Sequence, residues 1–374
     1  MELYKNMFIV FKKSNLILII CTILVLFISA AIMFPKIVST FTNADEVKSA
    51  IEEIFLIKSK ALLTADTELM DSLYGSNAKL SQWAFEHEEK KIKYLHNWSE
   101  KQGVKFTDII PTVVVRRLRG GNDSYSLNLL VSTEYKYIYE NNAEEVNSFR
   151  IGTYHSINLK QVEDNYCITK EWYTDPFADS LNLENLKVDS IKEYITSQGT
   201  RDFSNLSQRR LTAVDYAYKY SGAATDPKYG NFAYNKKYGD FNPQGGDCAN
   251  FASQILFEGG KFKKTSAWGF SNGNGDKAWL NAQGFKDYMV GSGRASVIAQ
   301  GNYEKVYKAS YKLKPGDFVA YEKDGKITHI STVTDADTKG YALVNCHNSD
   351  RHRVPWDLGW SNKSIKFWLV SVHY

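Results

Sequence analysis

Cysteine is scarce in this chain, four residues in 374, and neither sign of charge is in excess, with 46 basic residues against 42 acidic. The first scarcity excludes a fold stapled by a dense disulfide framework. The even spread of charge excludes a basic stripe for nucleic acid and an acidic tail. Internal repeats and low-complexity segments are also missing, which excludes a solenoid and a disordered stalk. No phosphate cradle is present, because the run from Gly269 to Gly275 has neither a lysine-serine ending nor a preceding strand. A zinc site built on His329, His347, His352 and Asp350 lacks a close cysteine pair and leaves Cys248 without a role. No metal, cofactor or nucleic acid is therefore expected.

What is present begins with an apolar run from Leu16 to Phe34, preceded by Lys5, Lys12 and Lys13. A helix needs about 20 such residues to cross the hydrocarbon core, and basic residues ahead of it favour a cytoplasmic N-terminus. The expectation is a membrane anchor within residues 1–40, with the lipid bilayer as partner through residues 16–34 and the bulk of the chain outside. Ser29, Ala30 and Ala31 keep a cleaved signal peptide, and hence a secreted protein, as the alternative. One cysteine, Cys21, lies in this run, so Cys167, Cys248 and Cys346 remain and cannot all pair with one another.

The length suits two cores. Residues 45–178 read as helices followed by a four-strand meander. Val47, Ile51, Ile54 and Phe55 recur at helical spacing, whereas the stretches 109–118, 125–139, 149–161 and 166–172 alternate and are rich in β-branched and aromatic residues. That order resembles the cystatin-like and NTF2-like accessory domains. Thr174-Asp175-Pro176-Phe177 marks a boundary, residues 179–206 read as a helical linker, and 207–374 form the second domain. The expected fold class is α+β, with an N-terminal transmembrane helix, the accessory domain and then a second α+β domain.

The sharpest signal is Gly245-Gly246-Asp247-Cys248-Ala249-Asn250-Phe251, continued through Ile255 and Leu256 to Gly259-Gly260. The glycines give a tight entry, Asp247 is a suitable N-cap, and Phe251, Ile255 and Leu256 form the buried stripe of a helix. Cys248 then sits in the first turn, where helix dipole and unpaired N–H groups favour a thiolate. A base is expected in His329, on the strand that returns after the Asp324-Gly325 turn, where alternation puts it on a face with Ile327 and Ser331. On the next strand Asn345 and His347 share a face, so Cys346 is assigned to the core. His347 is the first choice for the group that orients the base, with Asn348 and Asp350 as alternatives. Trp268 and Trp279 are candidates for a groove wall or for core, and Gln244 for an oxyanion donor or a plain turn residue.

Five blocks in order carry a resemblance: Leu211 to Tyr220, Pro227-Lys228-Tyr229, Gly246 to Gln254, the pair Trp268 and Trp279, and His347-Asn348-Ser349-Asp350-Arg351. Together they resemble the putative amidase domain family of Gram-positive bacteria, which is similar to the NlpC/P60 and CHAP branches of papain-like hydrolases. The resemblance implies a papain-like core, with the nucleophile at a helix start packed on an antiparallel sheet, and amide hydrolysis, with Cys248 and His329 at the nucleophile and base positions. Ala249 stands where the family often has a hydroxyl residue. The expected function is a membrane-tethered cysteine amidase or peptidase acting on a peptide amide, such as those of peptidoglycan. A degenerate wall-binding module and an acyltransferase using the same pair are the competing readings.

Overall fold

The computed structural model describes residues 44–75, 79–180, 188–230, 232–360 and 364–374. Contacts divide the chain into two units, Met1–Ile51 and Glu52–Tyr374. In the first, residues 44–51 are described and are helical.

The second unit has helical residues 52–64 and a long helix α1 (Lys79–Gln102), followed by four strands, β1 (Val104–Gly121), β2 (Ser124–Tyr139), β3 (Asn142–Val162) and β4 (Asn165–Tyr173). Each pairs antiparallel with the next, as the alternation of the sequence predicts. The reversal between β1 and β2 uses Asn122 and Asp123, both at positive φ, the conformation of a tight hairpin.

The C-terminal half contributes helices α2 (Gln208–Lys219), α3 (Cys248–Gln254) and α4 (Ala282–Gly291). Its strands are β5 (Ala295–Gly301), β6 (Phe318–Lys323), β7 (Lys326–Ala336), β8 (Ala342–Cys346), β9 (Asp350–Pro355) and β10 (Ile365–Val372). All ten strands join one sheet in the order β1-β2-β3-β9-β8-β7-β6-β10-β5, with β4 also on β3. Strand β3 makes the junction because its 21 residues give one edge room for two partners. Residues 155–162 pair with β4, and residues 150–152 pair with β9. Gly152 sits at this junction, where an added Cβ would lie 2.4 Å from the backbone of Ala223. The meander and the C-terminal strands therefore form one antiparallel α+β sheet.

The expected transmembrane helix requires correction. Among the described residues no helix is long and apolar enough to cross a membrane. The longest, α1, has 24 residues but carries Glu86, Glu88, Glu89, Lys90 and Lys91, whose charges are incompatible with hydrocarbon. Among the described residues the fold is thus α+β with no membrane-spanning helix, and the single-pass location and bilayer contact built on such a helix are not supported. The run 16–34, on which those expectations rested, lies outside the described residues.

Candidate active site

Helix α3 starts at Cys248 and runs through Gln254 into a wider turn, Ile255–Gly259. Phe251 and Ile255 pack on Ala213 and Ala217 of α2. The other flank of α3 joins the larger apolar cluster, in which Cys248, Ala249 and Ala252 meet Ala320, Ile327 and Ile330 of the sheet. The helix is held between α2 and β7, and the thiol at its head is buried, with 6% exposure.

Burial pushes the Cys248 thiol up to about 12, and the charges of Cys346 and Asp247 act in the same direction. The backbone N–H groups of Ile330 and Ala249 lie against the sulfur and oppose this, favouring the thiolate. Ile330 is the residue after His329, so α3 meets β7 beside the expected base.

Asp247 stands at the N-cap position but does not cap. Its carboxylate accepts from the Phe241 N–H (3.1 Å) and from Asn250 Nδ2 (2.8 Å), and its other oxygen lies 2.5 Å from His347 Nδ1. Its own N–H donates to the side chain of Asn348. Asn348 and Ser349 both have φ of 66°, the paired left-handed conformation of a two-residue hairpin turn joining β8 to β9. Gly246, at φ 141°, lets the chain pass under that turn, because a Cβ there would sit 2.3 Å from Asn348 Nδ2. The glycines before Cys248 therefore serve this junction as well as the helix entry.

His347 is fully buried, its ring stacked on Phe251 (3.7 Å between centroids) and on Tyr234 (3.8 Å). Its Nε2 lies 2.7 Å from the Tyr220 carbonyl. Burial alone would lower its pKa, but the hydrogen bond and charge of Asp247, the charge of Asp350 and the Tyr220 carbonyl outweigh burial and hold it above the usual histidine range. Asp350 accepts from the Tyr234 hydroxyl (2.6 Å) and the Ala223 N–H (2.7 Å), and burial raises its carboxyl to about 6.

The environment of His329 is different. Strand β7 carries a bulge at Thr328, so that Glu322 pairs with Ile327 and Tyr321 with His329. Ile327 consequently faces the apolar cluster while His329 faces the opposite side with Tyr321, which corrects the shared face expected from strict alternation. The imidazole stacks on Trp360 at 5.1 Å and tilts against Tyr321 at 5.5 Å. It is 3% exposed, and its Nε2 has no hydrogen-bond partner among the described residues. Burial, and then the charge of Arg351, push its pKa down to about 3. The Arg351 guanidinium is itself buried and donates to the carbonyls of Leu358 and Pro176.

No hydrogen bond joins Cys248 to His329 in this arrangement, and the hydrogen bonds of His347, Asn348 and Asp350 go to the Asp247 end of the site. The structure thus gathers Asp247, His347, Asn348 and Asp350 in one cluster and leaves His329 to Tyr321, Trp360 and Arg351. Trp268 and Trp279 are core, fully buried, with ring centroids 4.8 Å apart and planes tilted by 34°. Their indole N–H groups donate to Ser253 (3.0 Å) and to Asn250 Oδ1 (2.9 Å). Gln244 ends a single exposed turn, Asn242–Gln244, and Cys346 is buried as expected. Sequence reasoning missed Asn250, Tyr234, Arg351 and Trp360. Asn250 had a signal, a polar residue three after Asp247 on the buried side of its helix, whereas Trp360 had none. Among the described residues no group of three or more His, Cys, Asp or Glu is placed to hold a metal ion.

A thiol heading a helix that packs on an antiparallel sheet, in an α+β domain, is the architecture of this C-terminal region. Residues 207–370 match the family model described as putative amidase domain. No curated protein matches the chain. Among solved structures it is similar to a putative scytalone dehydratase from Novosphingobium aromaticivorans, with 13% identity over 36% of this chain and 86% of that one and a TM-score of 0.25. It is also similar to an NTF-2 like protein of unknown function from Shewanella oneidensis, with 12% identity over 34% of this chain and 97% of that one and a TM-score of 0.19. At such scores neither likeness carries an argument.

Proposed function

We propose that the amidase domain is a cysteine-dependent amidase or peptidase that cleaves a peptide amide, with those of the bacterial cell wall as the substrate class. The observation that carries this reading is the placement of Cys248 at the head of α3, against the amide of the residue that follows His329, within the matched region. In the scheme, the Cys248 sulfur attacks the substrate carbonyl and its proton passes to His329 Nε2. The protonated imidazole then gives that proton to the leaving amine. Water, deprotonated by the same nitrogen, releases the acyl group and regenerates the thiol.

Both members of the pair are electrically neutral in the closed arrangement, since burial raises the thiol and lowers the imidazole. Turnover on this scheme requires Trp360 to leave the imidazole face and the ring, which faces away from the cluster that holds Cys248, to turn within reach of the sulfur and the substrate. Burial of both groups also favours a second reading, a catalytically silent binding module. Incubating the purified chain with wall fragments and small amides, and weighing the products, separates the two. Cleavage that disappears in Cys248→Ala is expected, and cleavage retained at full rate in that variant would rule the scheme out.

A further inference from the structure

The hydrogen bonds around His347 leave no nitrogen for His329. The Tyr220 carbonyl can only accept, so the Nε2 facing it at 2.7 Å carries a proton. Asp247 receives the Phe241 N–H and the Asn250 amide on one oxygen, and the other faces Nδ1 at 2.5 Å. Those two donors favour the ionised carboxylate, whose second oxygen then accepts from Nδ1, so we read that nitrogen as protonated as well. The ring so charged lies nearly parallel to Phe251 (6°) on one face and Tyr234 (11°) on the other, and aromatic faces attract a cation.

We infer that His347 is held as an imidazolium that neutralises the Asp247 carboxylate next to the nucleophile, and so serves as a positioning residue for Cys248 instead of orienting His329. The inference rests on the reading of Cys248 as nucleophile. The groups facing the ring are Asp247 from the start of α3, Phe251 from its second turn, Asp350 from β9, Tyr234 from the loop, and the Tyr220 carbonyl from the end of α2. Asp247 is also one of the charges that raise the Cys248 thiol. Left uncompensated in a dry site, that carboxylate would oppose the thiolate more strongly.

The test titrates the thiol. Full-length protein is alkylated with iodoacetamide over a pH series, and modification of the Cys248 peptide is quantified by mass. In His347→Gln the reaction at each pH below the midpoint should slow roughly tenfold, the equivalent of a rise of about one pH unit in that midpoint. In the double variant Asp247→Asn/His347→Gln the midpoint should return toward wild type, because the uncompensated charge goes with its partner. A midpoint unchanged in His347→Gln, or a double variant no better than the single, would overturn the inference. Nitrogen-15 shifts of labelled His347 in the unmutated protein give a readout independent of variant folding. Two N–H protons at neutral pH are expected, and a ring with one overturns the proposal. None of these measurements uses turnover, so a failure of the amidase reading would appear separately, as full activity in Cys248→Ala.

Discussion

Replacing His329 by Phe tests the buried state of the base directly. An imidazole with an unpaired Nε2 in a dry site carries a desolvation cost of about 1–3 kcal/mol, whereas Phe fills similar space with no polar atom. At neutral pH the variant should therefore be as stable as wild type or more so, by about 1 kcal/mol. The gap should then widen in acid. The folded-state pKa of about 3 lies below the ordinary value of about 6.5, so between these values the unfolded chain binds a proton that the folded chain refuses. Stability from this group is intact above about pH 6.5 and falls with pH down to about 3, by about 1.4 kcal/mol per unit. Going from pH 7 to pH 5 should cost wild type about 2 kcal/mol more than it costs His329→Phe. Denaturant unfolding followed by tryptophan fluorescence at the two pH values measures this difference. Parallel pH dependence in the two proteins would show that the imidazole is solvated, and would refute the account of a closed site. A stabilising replacement that abolishes cleavage would in turn mark His329 as a residue kept for chemistry at the expense of stability.

Two further substitutions probe the scaffold around the thiol. Gly246→Ala combines a positive φ with a Cβ 2.3 Å from Asn348, so it should lower stability by about 1–3 kcal/mol; thermal melting checks this, and an unchanged midpoint would mean that the β8–β9 turn is not seated on the glycine. Trp279→Phe removes the donor to Asn250 Oδ1 while keeping most of the ring; leaving that buried acceptor unpaired should cost about 1–3 kcal/mol in denaturant unfolding, and no loss would place water at the amide.

Much of this molecule was legible from local pattern. The helix beginning at Cys248, the four-strand meander, the Asp324-Gly325 hairpin and the burial of Cys346 follow from spacing and turn chemistry, because each reflects which side of one segment meets the core. The departures have specific causes. Alternation put His329 on the side of Ile327, but the bulge at Thr328 adds one residue to β7 and reverses the parity. A good N-cap residue was read at Asp247, yet its carboxylate binds Asn250 and His347, because a buried partner elsewhere in the chain outcompetes the local cap. Trp268 and Trp279 are open to groove wall or core from sequence, and both are core. Length and apolarity suggested a membrane helix, and the described helices include none of that kind.

By itself the sequence determined the α+β alternation of elements, the thiol at a helix head and the match of residues 207–370 to a putative amidase domain, since these depend on periodicity and on short motifs. Only the tertiary structure decided that β3 pairs with both β4 and β9 and so makes one sheet. It alone decided that Trp360 covers the imidazole and that His347 is paired with Asp247. Those outcomes turn on contacts between segments far apart in the chain, where register, burial and charge balance are settled jointly and no local window contains the partners.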